Sequence, residues 1–349
     1  MRTTPTMKLF FDHHYVAAEH LFDTTRKSGW IADSLAIPGL RITSPPAVTR
    51  EQLLDVHSAE YVDAVITGEP ASLARSQGFT WGPRLFSAVA ASTGGVIAAA
   101  REAGISGSLS SGLHHARRGR GSGYCTFNGL AIAAKDAIRR GVPSVLILDF
   151  DAHCGGGTAS LIADEPRITQ LDISTHSFDS YPDSANARVV IADRHNYLTT
   201  IERELAQLGH AGYGLVLYNA GVDPAGDGVS QHDLVTREEI VFEWIDSQDS
   251  PAAFVLAGGY VGDGLTQSEL VALHVATITK AHEIWARKQA EKQRRSNRWR
   301  LGEEEVRLAC LGNPDPVVMK VCASKGEETF DNIDTTEEAQ AGADRREAA

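Results

Sequence analysis

Residues 149–153 read Asp-Phe-Asp-Ala-His and follow directly on the apolar run Val145-Leu146-Ile147-Leu148. Two carboxylates and an imidazole alternate at the end of what reads as a buried strand, so Asp149, Asp151 and His153 project to one side of the chain. Ionisable groups gathered at a buried strand end are costly unless a metal or a partner compensates them. Aspartate oxygen and histidine nitrogen are the ligands that hold a catalytic Zn²⁺ while leaving a position open for water.

Three further constellations carry chemistry. In Ser111-Gly-Leu-His114-His115-Ala, followed by Gly121-Ser-Gly-Tyr124-Cys125, adjacent histidines in a Gly-rich loop are poor core formers. They are suited to hydrogen-bonding a metal-bound water and to acid–base work. In Tyr218-Asn-Ala-Gly221-Val-Asp223-Pro224 a strand delivers one carboxylate to its carboxyl end, which supplies a third metal ligand. In Leu256-Ala-Gly258-Gly259-Tyr260 a strand ends in glycines that bring up a phenol, a suitable donor to a developing oxyanion. Each has a plainer reading alone: a structural His-His pair, an Asp that caps a helix, a Gly-Gly turn, a structural cation site. Together and in this order, each at a strand end, they point to one site.

The elements that must position these residues form an alternating series. Strands are expected at Lys8–Phe11, Ser144–Phe150, Ile168–Ile173, Ala187–Ile191, Gly214–Tyr218 and Ala252–Leu256. Helical periodicity covers Ala17–Leu35, Leu85–Ala103, Gly129–Arg140, His195–Leu208, Arg237–Asp246 and Leu265–Arg287, with a long loop from Gly104 to Gly123. This alternation implies right-handed crossovers and a parallel α/β sheet with helices on both faces. In such sheets ligands bind beyond the carboxyl ends of the strands. Residues 1–286 read as one catalytic domain and 287–349 as a charged extension. Arg287–Arg300 holds seven Lys/Arg against one Glu and reads as a solvated helical extension; the chain then turns acidic and fragmentary from Leu301, and Thr335–Ala349 reads as disordered.

Bulk properties exclude several classes. A content of 42% hydrophobic and 22% charged residues describes an ordinary globular protein. Formal net charge of −12 argues against nucleic acid as a direct partner. No run approaches the 18 or so apolar residues of a membrane span, nothing near the N-terminus resembles a signal peptide, and Cys125, Cys154, Cys310 and Cys322 form no Cys-x-x-Cys pair. The expectation is a reduced, cytoplasmic chain. His13, His14, His57 and His232 are assigned no role beyond surface or packing.

From about Lys8 to about Ala286, the four ordered motifs resemble the zinc-dependent histone deacetylases and their bacterial amidohydrolase relatives, within the arginase–deacetylase superfamily. The resemblance implies the arginase-like α/β fold and hydrolysis of an N-acyl amide, with one Zn²⁺ per chain. Asp151, His153 and Asp223 then match the Zn²⁺ ligands. His114 and His115 match the paired catalytic histidines, Asp149 the carboxylate that orients the first of them, and Tyr260 the tyrosine that polarises the scissile carbonyl. Gly123 and Tyr124 resemble the pair lining the acyl-lysine tunnel, with Tyr181 as its opposite wall. A monovalent cation, K⁺, would involve Asp149, Asp151, His153 and Ser174.

Two positions depart from the family pattern. Cys154 stands where a second histidine is usual. Gly156 stands where an Asp or Asn usually supports the second catalytic histidine, and glycine has no side chain with which to hold an imidazole. A catalytically silent acyl-lysine binder is therefore one alternative. A two-metal ureohydrolase is disfavoured by Gly155 and by the single carboxylate at Asp223. The expected substrate is an acyl-lysine peptide or protein, or else an acetylated polyamine or other acylated small amine. The wording Tyr-Asn-Ala-Gly and Ala-Gly-Gly-Tyr is nearest the class IV deacetylases, some of which prefer fatty acyl groups. Tunnel width depends on the loops Arg117–Gly121 and Phe178–Ser184.

Overall fold

The computed structural model describes residues 5–18 and 23–312. Eight strands make one parallel sheet: β1 (Met7–Phe10), β2 (Leu40–Thr43), β3 (Ile105–Ser108), β4 (Val145–Asp149), β5 (Ile168–Ser174), β6 (Ala187–Ile191), β7 (Leu215–Gly221) and β8 (Ala252–Ala257), in the spatial order β2-β1-β3-β8-β7-β4-β5-β6. The helices are α1 (Lys27–Ser34), α2 (Arg50–Leu54), α3 (Ala59–Thr67), α4 (Ala71–Ala74), α5 (Pro83–Ala99), α6 (Gly129–Arg139), α7 (Gly156–Ile162), α8 (Tyr197–Leu208), α9 (Gln231–Ser247) and α10 (Gln267–Gly312). Residues Met1–Ala286 form one compact unit and Arg287–Ala349 a second. No helix among the described residues is long and apolar enough to cross a membrane.

The central strands are apolar on both sides because both faces are covered, as parallel sheets require. Leu146 and Leu148 of β4 face one core with Tyr218 of β7, Phe254 of β8, and Phe242, Leu270 and Ile278 from α9 and α10. Val145 and Ile147 face the other core with Leu217, Val255 and residues of α3, α5, α6 and α7 such as Val62, Val96, Leu130 and Ile162. Each such side chain contributes about 1.5–3 kcal/mol through the apolar area it removes from water.

Several elements differ from expectation. The Gly104–Gly123 stretch is not all loop: Ile105–Ser108 forms β3, fully buried between β1 and β8. At Gly107 the Phe254 ring fills the space: a Cβ there would lie 2.3 Å from that ring. The Ala17–Leu35 periodicity resolves into 3-10 turns at His13–Val16 and Asp23–Thr25 and the helix α1, with 19–22 outside the described residues. Edge strand β2 and helices α2, α3, α4 and α7 were not anticipated. Along α10 the core positions run to Ile284, and 291–297 are exposed. Leu301–Gly312 continues as helix rather than breaking up, and Thr335–Ala349 lies outside the described residues.

Candidate active site

The site forms where the central strands end. In register, Asp149 at the end of β4 lies between Asn219 of β7 and Asp172 of β5. Asn219 Nδ2 donates to Asp149 Oδ1 at 2.7 Å, and Asp149 Oδ2 faces His114 Nδ1 at 2.8 Å. The carboxylate, which is acceptor-only when ionised, accepts a hydrogen bond from Nδ1–H and leaves Nε2 of His114 turned toward Asp151, 3.6 Å from its Oδ1.

Past the strand, Asp151 and His153 meet Asp223, which enters from the turn after β7. The ligating atoms of these three lie within 4.8 Å of one another. His153 Nδ1 stands 3.1 Å from Asp223 Oδ2 and 3.3 Å from Asp151 Oδ1. Backbone amides hold the carboxylates in place: His153 N donates to Asp151 Oδ1 at 3.0 Å and Ala152 N to Asp223 Oδ1 at 3.1 Å. Glycine is required beside them, since a Cβ at Gly258 would sit 2.2 Å from Asp223 Oδ1, and Gly258 itself has a φ of +51°. Two carboxylates and one imidazole converging from two loops fit the three-protein-ligand set of a catalytic divalent cation.

The histidine pair is pinned by its backbone. The His114 carbonyl accepts from Thr158 N at 2.9 Å and from Asn128 Nδ2 at 3.1 Å. Gly157 permits this approach, because a Cβ there would lie 2.3 Å from the His114 carbonyl oxygen. The two imidazoles are 4.0 Å apart, centre to centre. His115 Nδ1 faces Asp179 Oδ2 at 3.0 Å, so both histidines carry a carboxylate on Nδ1, although position 156 supplies none. Asp179 also takes Gly157 N at 3.0 Å and the Arg117 guanidinium.

These surroundings separate the pair electrostatically. Burial works against charge on His114, but Asp149 and Asp151 outweigh it and raise the group to about 10. His115 is lowered to about 4, by burial first and by the neighbouring His114 second, against the pull of Asp179. The carboxylates thus favour charge on His114, while burial and the neighbouring His114 disfavour it on His115.

The other expected residues are distributed as follows. Gly123, with a φ of +50°, lies directly against His115 and Phe178; a Cβ there would come within 2.4 Å of the first and 3.2 Å of the second. Tyr124, exposed, turns its ring to Phe79 at 5.2 Å. Tyr181 is not beside the histidines: its hydroxyl donates to the Arg188 carbonyl at 3.1 Å and meets Gln170. Phe178 takes that neighbourhood, edge-on to His115 at 5.0 Å and to His153 at 5.8 Å. Tyr260 is half-buried after Gly258-Gly259. Its turn is held by Lys27 Nζ on the Gly258 carbonyl and by Asp23 Oδ2 accepting from Val261 N at 2.8 Å. Ser174 is fully buried at the end of β5; its hydroxyl finds no oxygen or nitrogen partner among the described residues and has the Cys154 thiol beside it. Burial raises that thiol to about 11, which makes it a poor nucleophile.

Sequence reasoning missed Asp179, Arg117, Phe178, Asn219 and Lys27. Of these, Asn219 carried a signal, being a polar side chain in an apolar strand opposite Asp149.

The family model of the histone deacetylase domain matches residues 18–277. The chain belongs to the histone deacetylase family. Among curated relatives, an uncharacterised protein of Picosynechococcus sp. is 31% identical over 241 residues, covering 63% of this chain and 80% of its own. Histone deacetylase 2 of Arabidopsis thaliana is 28% identical over 273 residues, covering 69% and 70%. The crystal structure of the HDA15 HD domain superposes with a TM-score of 0.67 at 19% identity, covering 80% of this chain and 90% of that one, a likeness of fold. The histone deacetylase sheet is therefore the scaffold on which this chain builds its acidic and histidine cluster.

Proposed function

We propose that the chain is a Zn²⁺-dependent deacylase that hydrolyses the amide of acyl-lysine in peptides or proteins. The observation that carries this reading is the juxtaposition of the Asp151, His153 and Asp223 ligand set with two imidazoles, each backed by a carboxylate. When bound there, Zn²⁺ supplies an electrophile for the amide carbonyl and lowers the pKa of water toward neutrality.

The chain's own groups would do the rest. His115, neutral with its Nδ1 proton committed to Asp179, accepts the proton of the attacking water at Nε2 and returns it to the leaving amine. His114, held by Asp149, orients the water. Tyr260 donates to the oxygen on which negative charge develops. Gly123 and Phe178 both lie against His115 and would line the approach of the chain that carries the amide. A second, monovalent ion (K⁺) at Asp149, Asp151, His153 and Ser174 belongs to this reading by family resemblance; Ser174 itself is buried with the Cys154 thiol beside it. The alternative of a silent binder rested on Gly156, and its motive weakens because His115 has a carboxylate.

The test is release of free lysine from acetyl- and longer-acyl-lysine peptides by the Zn²⁺-loaded protein, with His115→Ala as control. Turnover abolished by that substitution supports the reading, and the chain-length profile names the acyl group. Turnover only on acetylated polyamines would transfer the reading to small amines. Bound zinc without turnover on any acyl amide would overturn it.

A further inference from the structure

We propose that Asp179 is the positioning residue for His115: the loop after β5 supplies, from 64 residues along the chain, the carboxylate that position 156 lacks. The two features depend on each other. A Cβ at Gly156 would lie 2.2 Å from the Asp179 carbonyl oxygen and 2.9 Å from its Oδ1, so a side chain at 156 and the loop as it stands exclude one another. Glycine at 156 is thus the opening through which Asp179 reaches the histidine.

Asp179 is built into this role on every side. Its Oδ2 accepts from His115 Nδ1 and from Gly157 N, each at 3.0 Å, while Oδ1 pairs with Arg117, which also donates to the Gly156 carbonyl at 3.1 Å. An ionised carboxylate only accepts, so the His115 Nδ1 must donate, and the Nε2 lone pair is left free. The backbone at Asp179 sits at a φ of +60°, a left-handed conformation that costs an L-residue energy and that aspartate tolerates better than most. Neighbouring bonds hold it there: Cys154 N donates to the Phe178 carbonyl at 3.0 Å, and Phe178 N to His176 Nδ1 at 3.0 Å. Backbone strain held in place beside a histidine is a device for orientation.

The kinetic arm of the test rests on the deacylase reading; a spectroscopic arm does not. Asp179→Gly removes the carboxylate while tolerating the left-handed backbone, and Asp179→Asn keeps an acceptor oxygen without the charge. With bound zinc unchanged, Asp179→Gly should lower kcat about 10- to 100-fold, and Asp179→Asn by less. In a His115→Ala background, Asp179→Gly should change the residual rate by less than about twofold, since residues acting as a unit are not additive. In ¹⁵N-labelled zinc-loaded protein, the Nδ1 proton of His115, assigned by its loss in His115→Ala, should appear as a downfield, exchange-protected signal. It should persist in Asp179→Asn and vanish in Asp179→Gly. Persistence of the signal in Asp179→Gly, equal losses with and without His115, or zinc lost in step with rate would overturn the proposal. If the wild-type protein turns over no acyl amide, the deacylase reading fails and the ring signal alone decides the role of Asp179.

Discussion

Asp151, Asp172 and Asp223 are buried in one site, and their surroundings force them apart. Burial disfavours charge on all three. On Asp151 the charges of His114 and His153 win and hold it far below the usual carboxylate range. Burial and the charge of Asp151 push Asp223 up to about 6, while burial and Asp149 raise Asp172 well above its ordinary value. Such crowding of carboxyl groups is tolerable where a cation answers it. Tyr260 is the one proposed reacting group outside this crowd, bracketed by Lys27 on Gly258 and Asp23 on Val261. Tyr260→Phe should therefore lower kcat on the order of a hundredfold or more and leave the zinc content, measured by metal analysis, unchanged. Undiminished turnover would remove Tyr260 from the chemistry. The residues legible in the sequence were those at strand ends, because the apolar run before each announces where its side chain will arrive. Asp179 was not legible: it lies five residues beyond β5 in a loop without periodicity, and only the missing side chain at Gly156 hinted that a partner must come from elsewhere. Tyr181, two residues further on, turns its hydroxyl to Gln170 and the Arg188 carbonyl, whereas the Phe178 ring meets His115 and His153.

Helix caps and loop anchors set the histidine pair as firmly as the strands do. Asn128, the cap of α6, holds the carbonyls of His114 and Ala116 with its side-chain amide. His57, beyond α2, spans the same region: its Nδ1 meets the Arg117 carbonyl at 2.9 Å and its Nε2 accepts from Asn128 N at 3.0 Å. That tautomer is neutral, and burial lowers the group from 6.5 to about 4 despite the Arg117 carbonyl. Since the folded value lies below the unfolded one, the unfolded chain binds more protons between about pH 4 and 6.5, and stability must rise with pH across that window. At roughly 1.4 kcal/mol per unit, the full effect is up to about 3 kcal/mol. His57→Gln should flatten the change in urea midpoint between pH 7 and pH 5; an undiminished slope would place its origin elsewhere. Strong apolar runs made β4, β5, β7 and β8 readable. Strand β3 was hidden because Ile-Ser-Gly-Ser makes no apolar run, Phe254 filling the space at Gly107, and β2 because an exposed edge strand of four residues has no core pattern to show.

On the scale of the whole molecule, two cores clamp one sheet, and the ligand set is the place where separate loops meet beyond it. Asp151 and His153 leave β4, Asp223 leaves β7; His153 faces both carboxylates, and Asp223 accepts from the amide of Ala152 between the other two. A cation held by all three binds the folded chain and not the unfolded one, whose donors are 70 residues apart in sequence. It must therefore stabilise the fold by mass action, by about 2.7 kcal/mol at a free concentration one hundred times Kd. Thermal unfolding of the zinc-loaded protein should fall by several degrees on chelation and recover on adding Zn²⁺. Asp223→Ala should abolish that response. It should also leave the chelated protein no less stable than chelated wild type, because it removes a buried carboxylate from beside Asp151. A loss of stability in the chelated variant would show that Asp223 supports the fold through its bond to Ala152 rather than by serving the cation. An intact zinc response in Asp223→Ala would move the ion away from this cluster altogether.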